Sequence, residues 1–249
     1  MSYRSFVLWL LGYPDAALSD TEHALKDARE IGQPVTLMYA LFHASLPYTW
    51  CGNYATTNEI VNELLALADK RGAWFWKVQG RRAQGQLLAL THKATDAVQI
   101  LISASTEFRS TGSTAFVPLY FSCLARAYAD LGEFDDAWRC IGEAMTAMET
   151  TKETWFEADV HRVAGEVALM SPPPDAAKAE EYFERALAVA RQQHAKSFEL
   201  RASMSLARLW RDQGKVQQAR ELLAPVYGWF TEGFDPRDLK EAKALLDEL

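Results

Sequence analysis

Few residues in this sequence are placed to do chemistry. Gly80-Arg-Arg-Ala-Gln-Gly85 has the GxxxxG spacing with which a glycine-rich loop cradles phosphates. Such a loop also needs a strand before it and a Lys-Ser/Thr after it; here Gln86-Leu87 follows, inside a helical pattern. His23, His43, His92, His161 and His194 form no i, i+3 or i, i+4 pair, so no helix presents two imidazoles to one metal ion. Cys123 and Cys140 fall on neighbouring predicted helices, which leaves two readings: small buried apolar residues, or a thiol metal or redox site. Asp135-Asp136 could form a metal carboxylate pair, but at a helix's first turn two acids also complement the helix dipole. Pro172-Pro173-Pro174 reads as a stiff connector or as a polyproline ligand for a partner. No catalytic residue, metal ligand or cofactor site is assigned, and an enzyme is not expected of this chain.

The elements that must carry these residues are set by the whole chain. Apolar residues make up 49% of 249, enough for a substantial core, and Pro and Gly are scarce at 9 and 13. The net charge of −7 argues against nucleic acid as the default partner. Three cysteines with no CxxC pair suit a reducing compartment. The apolar run Phe6 to Leu11 is too short for a signal peptide or a membrane span, and no later segment reaches membrane-spanning length. A cytoplasmic protein with no membrane partner is expected.

A repeat is visible on stepping from the glycine of Leu131-Gly132-Glu133-Phe134. The small residue five positions after each predicted elbow gives Ala17, Thr57, Ala97, Ala137, Ala179 and Ala219, at steps of 40, 40, 40, 42 and 40. The longer step falls where Ser171-Pro-Pro-Pro-Asp175 lengthens a loop. Each unit reads as two helices. In the fourth, Phe121, Leu124, Ala125 and Tyr128 form one stripe, Gly132 breaks the helix, and Ala137, Ile141, Ala144 and Met148 form the next. Gly85, Ala125, Gly165 and Ala207 make room for close approach of the paired helices, while Tyr54, Tyr128 and Phe134 fill the gaps between hairpins.

Leu124-Ala125, Tyr128, Gly132, Phe134, Ala137 and Ala144 resemble the tetratricopeptide pattern, as do Leu206-Ala207, Gly214, Ala219 and Val226. The period is about six residues longer than that family's, and His92 and Pro174 stand where its turn pattern differs. The segment from Glu153 through Ala179–Arg191 to Leu222–Asp235 is similar to the C-terminal repeat region of bacterial signalling proteins that join a regulatory ATPase to a nucleotide cyclase or DNA-binding output domain. The resemblance implies an all-α fold, a right-handed α-solenoid of about six antiparallel hairpins, and a chain that is a fragment of a larger protein. The expectation is a single repeat domain over 1–249, with units at 1–31, 34–72, 73–112, 114–151, 153–194 and 196–230 and a capping helix at 236–249.

In that family the first helix of each hairpin lines a concave groove. The register then turns Tyr39, Phe42, Leu46, Arg82, Gln86, Arg126, Arg162, Glu166, Arg201, Arg208 and Arg211 toward a partner. Two readings of the arginines stay open: bidentate pairing to acidic groups of a bound segment, or pairing with Glu and Asp of the array itself. Tyr39 and Phe42 are likewise either core or recognition residues. The expected function is a non-catalytic interaction or regulatory module that binds a protein or peptide segment, including other domains of its parent. The alternative is a sensor for a small ligand or signal peptide that regulates an attached ATPase, cyclase or transcription factor. A homodimer through an N-terminal end exposing Phe6, Val7, Trp9 and Leu10 is a further expectation.

Overall fold

The computed structural model describes residues 2–249, which form thirteen α-helices and no strand. Twelve helices pair into successive antiparallel hairpins: α1 (Ser2–Leu10) with α2 (Pro14–Ile31), α3 (Pro34–Trp50) with α4 (Tyr54–Arg71), α5 (Trp74–Leu90) with α6 (Ala94–Arg109), α7 (Val117–Asp130) with α8 (Phe134–Thr151), α9 (Glu157–Met170) with α10 (Ala176–Gln192), and α11 (Lys196–Asp212) with α12 (Val216–Tyr227). The last, α13 (Arg237–Glu248), packs on α11 and α12. This is an all-α helical-repeat fold. Among the described residues no helix is long and apolar enough to cross a membrane.

The six small residues that mark the period, Ala17, Thr57, Ala97, Ala137, Ala179 and Ala219, are each fully buried. They open the second helices, where a larger side chain would hold the hairpin partner away. The glycines of the first helices meet their partners just as closely. A Cβ on Gly80 would lie 2.9 Å from Leu65 Cδ2, and one on Gly85 would lie 2.6 Å from Leu101 Cγ. Gly80 and Gly85 therefore serve packing inside α5, not a phosphate loop. Elbow residue Gly132 has φ +78°, and His92 takes the same left-handed turn at φ +56°.

The helices fall into two compact units, residues 2–9 with 14–114 and residues 10–13 with 115–249. In the first unit α3 packs against α2, α4 and α5, and α4 and α6 pack on α5. In the second, α7, α9 and α11 lie side by side with α8, α10 and α12 backing them. First and second helices are buried differently. The second helix α8 buries a single stripe of Ala137, Cys140, Ile141, Ala144 and Met148, whereas the first helix α7 buries nearly every residue from Pro118 to Ala129. Polar side chains on the first helices are thereby drawn into the interior.

One expectation at the N-terminus is corrected. Phe6 and Trp9 are buried, because their rings pack on α3: Phe6 lies 5.6 Å from His43 and 5.5 Å from Trp50, and Trp9 lies 4.8 Å from Trp50. Val7, on the opposite side of α1, is exposed.

Candidate functional site

The first helices of the second unit carry a charged row built at the repeat spacing. Arg126 of α7 donates to Glu166 of α9 at 2.8 Å, forty residues on. The equivalent position of α11, forty-two residues further, is Arg208, whose charge also acts on Glu166. Arg208 in turn donates to Glu241 of α13 at 3.1 Å. The signs alternate helix by helix: Arg126, Glu166, Arg208, Glu241. A second row runs beside it. Asp159 of α9 feels the charge of Arg201 on α11, and Arg201 donates to Asp238 of α13 at 2.7 Å.

Arg162 ties the two rows together. Its Nε donates to Asp159 at 2.6 Å, its Nη1 donates to Glu166, and it is almost fully buried. Burial opposes its charge, but Asp159 and Glu166 beside it outweigh burial and raise its pKa further. Burial would likewise push Asp159 up, yet Arg162, Arg201 and Arg126 hold its carboxyl below the usual aspartate value. Glu166 is held low by Arg162, Arg126 and Arg208 against the opposing effect of burial. The fully ionised network is thus self-consistent. Its outer members stay reachable by solvent: the side chains of Arg126, Arg208 and Arg211 are 31%, 41% and 33% exposed. Arg211 pairs with Asp212 and Glu248.

The row in the first unit is aromatic and neutral apart from Arg82. Phe42 and Leu46 of α3 are core residues. Tyr39 is half-buried, with its ring 4.0 Å from His43 and 6.0 Å from Trp76. His43 Nδ1 lies 2.8 Å from the Tyr39 carbonyl oxygen, so that nitrogen carries the proton and donates it. Nε2 is then a buried acceptor without a partner. Arg82 is buried with its guanidinium 3.9 Å over the Phe108 ring and donates from Nη1 to Gln79 Oε1 at 2.9 Å. Gln86 is also buried, and its Oε1 meets no donor.

The eleven residues assigned to a groove thus differ in their surroundings, with Tyr39 half-buried on α3. Phe42, Leu46, Arg82 and Gln86 are interior rather than open surface. Arg126, Arg162, Glu166, Arg201 and Arg208 come together as one ionic network closed on the array's own carboxylates, and Arg211 pairs separately with Asp212 and Glu248. Three contributors were not singled out from sequence: Asp238, Glu241 and Glu248. They sit on α13, outside the repeat register, and the only signal was the mixture of acids and lysines along that helix. Among the described residues, no cluster of three His, Cys, Asp or Glu could hold a metal ion, and the three cysteines are buried free thiols.

The arrangement of hairpins in this chain has counterparts among solved structures. Its structure is similar to the crystal structure of the apo form of RapI, with a TM-score of 0.67 at 14% identity over 98% of this chain and 82% of that one. The fold is that of a helical-repeat protein. A second likeness is to BtubC from P. vanneervenii, with a TM-score of 0.57 at 14% identity over 95% of this chain and 93% of that one. No protein-family model matches the chain, and no curated protein sequence matches it. At 14% identity the two likenesses carry the fold alone.

Proposed function

We propose that this chain is a non-catalytic protein-interaction module that binds an acidic peptide or protein segment along the first helices of its second unit. One observation carries the reading. Arg126, Arg208 and Arg211 are partly exposed, and each is held by a carboxylate of the array itself. Half-exposed ion pairs add little to stability, typically under about 1 kcal/mol each, so stacking alone does not explain why this face is charged. An incoming Asp or Glu can exchange with Glu166, Glu241 or Glu248 at small net cost and gain bidentate geometry on the guanidinium.

In this reading Arg162, buried between its two acids, fixes the register without meeting the partner. The resemblance of Trp155 and the residues after it to the repeat regions of signalling ATPases suggests that the segment belongs to an attached output domain of a cytoplasmic regulator. A peptide-display selection tests this. Wild-type protein should enrich acidic sequences, and the R126E/R208E variant should lose that enrichment. The same peptides selected by both proteins would overturn the proposal.

A further inference from the structure

The first unit carries an exposed surface that the first-helix rows do not account for. The turns Gly32–Gln33 and Gly72–Ala73 lead into the starts of α3 and α5, which pack side by side. Trp76 lies 6.0 Å from Tyr39 and 6.3 Å from Phe42, so the two helix starts share one edge. Four large apolar side chains stand in solvent there: Ile31 at 59% exposure, Val35 at 64%, Trp74 at 46% and Phe75 at 39%. Pro34, Leu37 and Trp76 between them are half-buried. Singly exposed apolar residues need no explanation; a group contributed by three successive hairpins does.

The charges around the cluster indicate what covers it. Arg29 is matched by Glu63 at 2.8 Å, and Lys77 by Asp69 at 2.7 Å. Lys70 and Arg71, which end α4 directly before Trp74, have no carboxylate partner among the described residues. Asp27, one turn before Ile31, is also without an ion-pair partner among the described residues, so the unpaired charges around the edge are two positive and one negative, a positive balance on a chain whose net charge is −7. The chain's net negative charge lies mostly beyond reach of this edge at physiological salt. A short segment feels mainly charges within a Debye length, about 8 Å at physiological salt.

We propose that the edge formed by Ile31, Val35, Trp74 and Phe75 docks an acidic amphipathic polypeptide segment, whose apolar face covers these four side chains and whose carboxylates pair with Lys70 and Arg71. None of these residues belongs to the arginine row of the second unit. Tyr, Trp and Arg anchors are the residues that concentrate binding energy at interfaces.

The test uses the full chain and a fluorescein-labelled amphipathic helix about four turns long, with Leu and Trp on one face and Glu on the other. Fluorescence anisotropy should show binding that weakens about tenfold when the peptide's Glu residues become Lys, and by a similar factor in the K70E/R71E or W74A proteins. R126E should leave this binding unchanged. With wild-type protein alone, hydrogen exchange should show peptide-dependent protection at residues 31–37 and 70–76, which does not depend on how any variant folds. Absence of binding, equal binding of the Glu and Lys peptides, or protection confined to other segments would overturn the proposal. So would binding to phosphatidylserine vesicles in place of the peptide.

Discussion

Arg126 and Glu166 occupy the same repeat position on adjacent first helices and meet at 2.8 Å. A side chain at a given register in a stacked array always faces its own equivalent in the next unit. Like residues there would repel, so a charged register must alternate in sign or recruit a neighbour. The second unit does both: Arg126, Glu166, Arg208 and Glu241 alternate, and Arg162 joins Asp159 to Glu166.

The centre of that network should be far more sensitive than its rim. Replacing Arg162 by Met keeps the apolar stem but strands Asp159, which is only 6% exposed. Breaking a buried pair from one side costs about 3–5 kcal/mol. The D159L/R162M double variant should recover much of this loss, because both charges then leave the interior together. Urea unfolding of the single and double variants checks it; a double variant as unstable as the sum of its parts would show that no coupling exists.

Acid should weaken the second unit in two stages. His161 is 3% exposed, and burial, with the nearby positive charge of Arg185, lowers its pKa to about 4. Around its ring, Glu157 lies 3.8 Å from Nε2, and Tyr182 stacks at 6.2 Å. A folded pKa below the unfolded value of 6.5 means that the unfolded chain takes up the proton first. The stability contribution is then complete above pH 6.5 and falls as the pH drops toward 4, by about 3 kcal/mol in all. Asp159, Glu166 and Glu241 are also depressed, so their contribution holds above the ordinary carboxylate range and is lost below it. The H161F variant should flatten the upper stage in thermal melts across pH and leave the lower stage in place. An unchanged upper stage would assign it to a group outside the second unit, such as His43 of α3.

Much of the fold was legible because its period is enforced by volume. Ala17, Thr57, Ala97, Ala137, Ala179 and Ala219 had to be small where paired helices touch, and a steric requirement repeats wherever the contact repeats. The candidate site was only partly legible. Register alone located the arginines of the first helices. It could not tell a guanidinium facing solvent from one facing a carboxylate on the next helix, because that depends on how close successive first helices approach. Arg162 and Arg208 read alike in sequence, and the structure buries one and half-exposes the other. The partners on α13 were hidden because a capping helix stands outside the repeat.

Two glycines make the steric argument quantitative. A Cβ on Gly165 would lie 2.4 Å from Phe183 Cε1, whereas one on Gly142 would meet nothing within 4 Å. Both positions are helical. G165A should destabilise by about 1–3 kcal/mol through overpacking. Trimming the ring in G165A/F183L should return part of that loss. G142A should stabilise by up to about 1 kcal/mol, the helix-propensity difference between the two residues. Chemical denaturation of the three variants tests the order; equal effects at the two glycines would contradict the packing described for α9 and α10.

The turns between hairpins hold a second period, offset from the elbows. Gly32, Gly72, Gly112, Lys152 and His194 follow one another at steps of 40, 40, 40 and 42, and all five have positive φ. Three are glycine, for which φ near +60 to +75° carries no Cβ clash; Lys152 at +61° and His194 at +55° carry one. A non-glycine residue in this conformation costs roughly 1 kcal/mol. Lys152 accepts the strain at the end of α8, where its backbone N–H donates to the Met148 carbonyl at 2.9 Å, and His194 does so after α10, donating to Arg191 at 3.1 Å. These bonds are made by the backbone and survive substitution. K152G and H194G should therefore each gain a few tenths to about 1 kcal/mol, the relief of the left-handed strain being partly offset by the greater freedom of glycine in the unfolded chain. The two turns touch, since Gln193 Nε2 donates to the Thr154 carbonyl at 2.9 Å, so the double variant also reads any coupling between them. Midpoints of thermal unfolding measured for the two single variants and the double would decide it: a loss of stability in K152G or H194G would mean that the Lys or His side chain contributes more at its turn than the backbone geometry takes away.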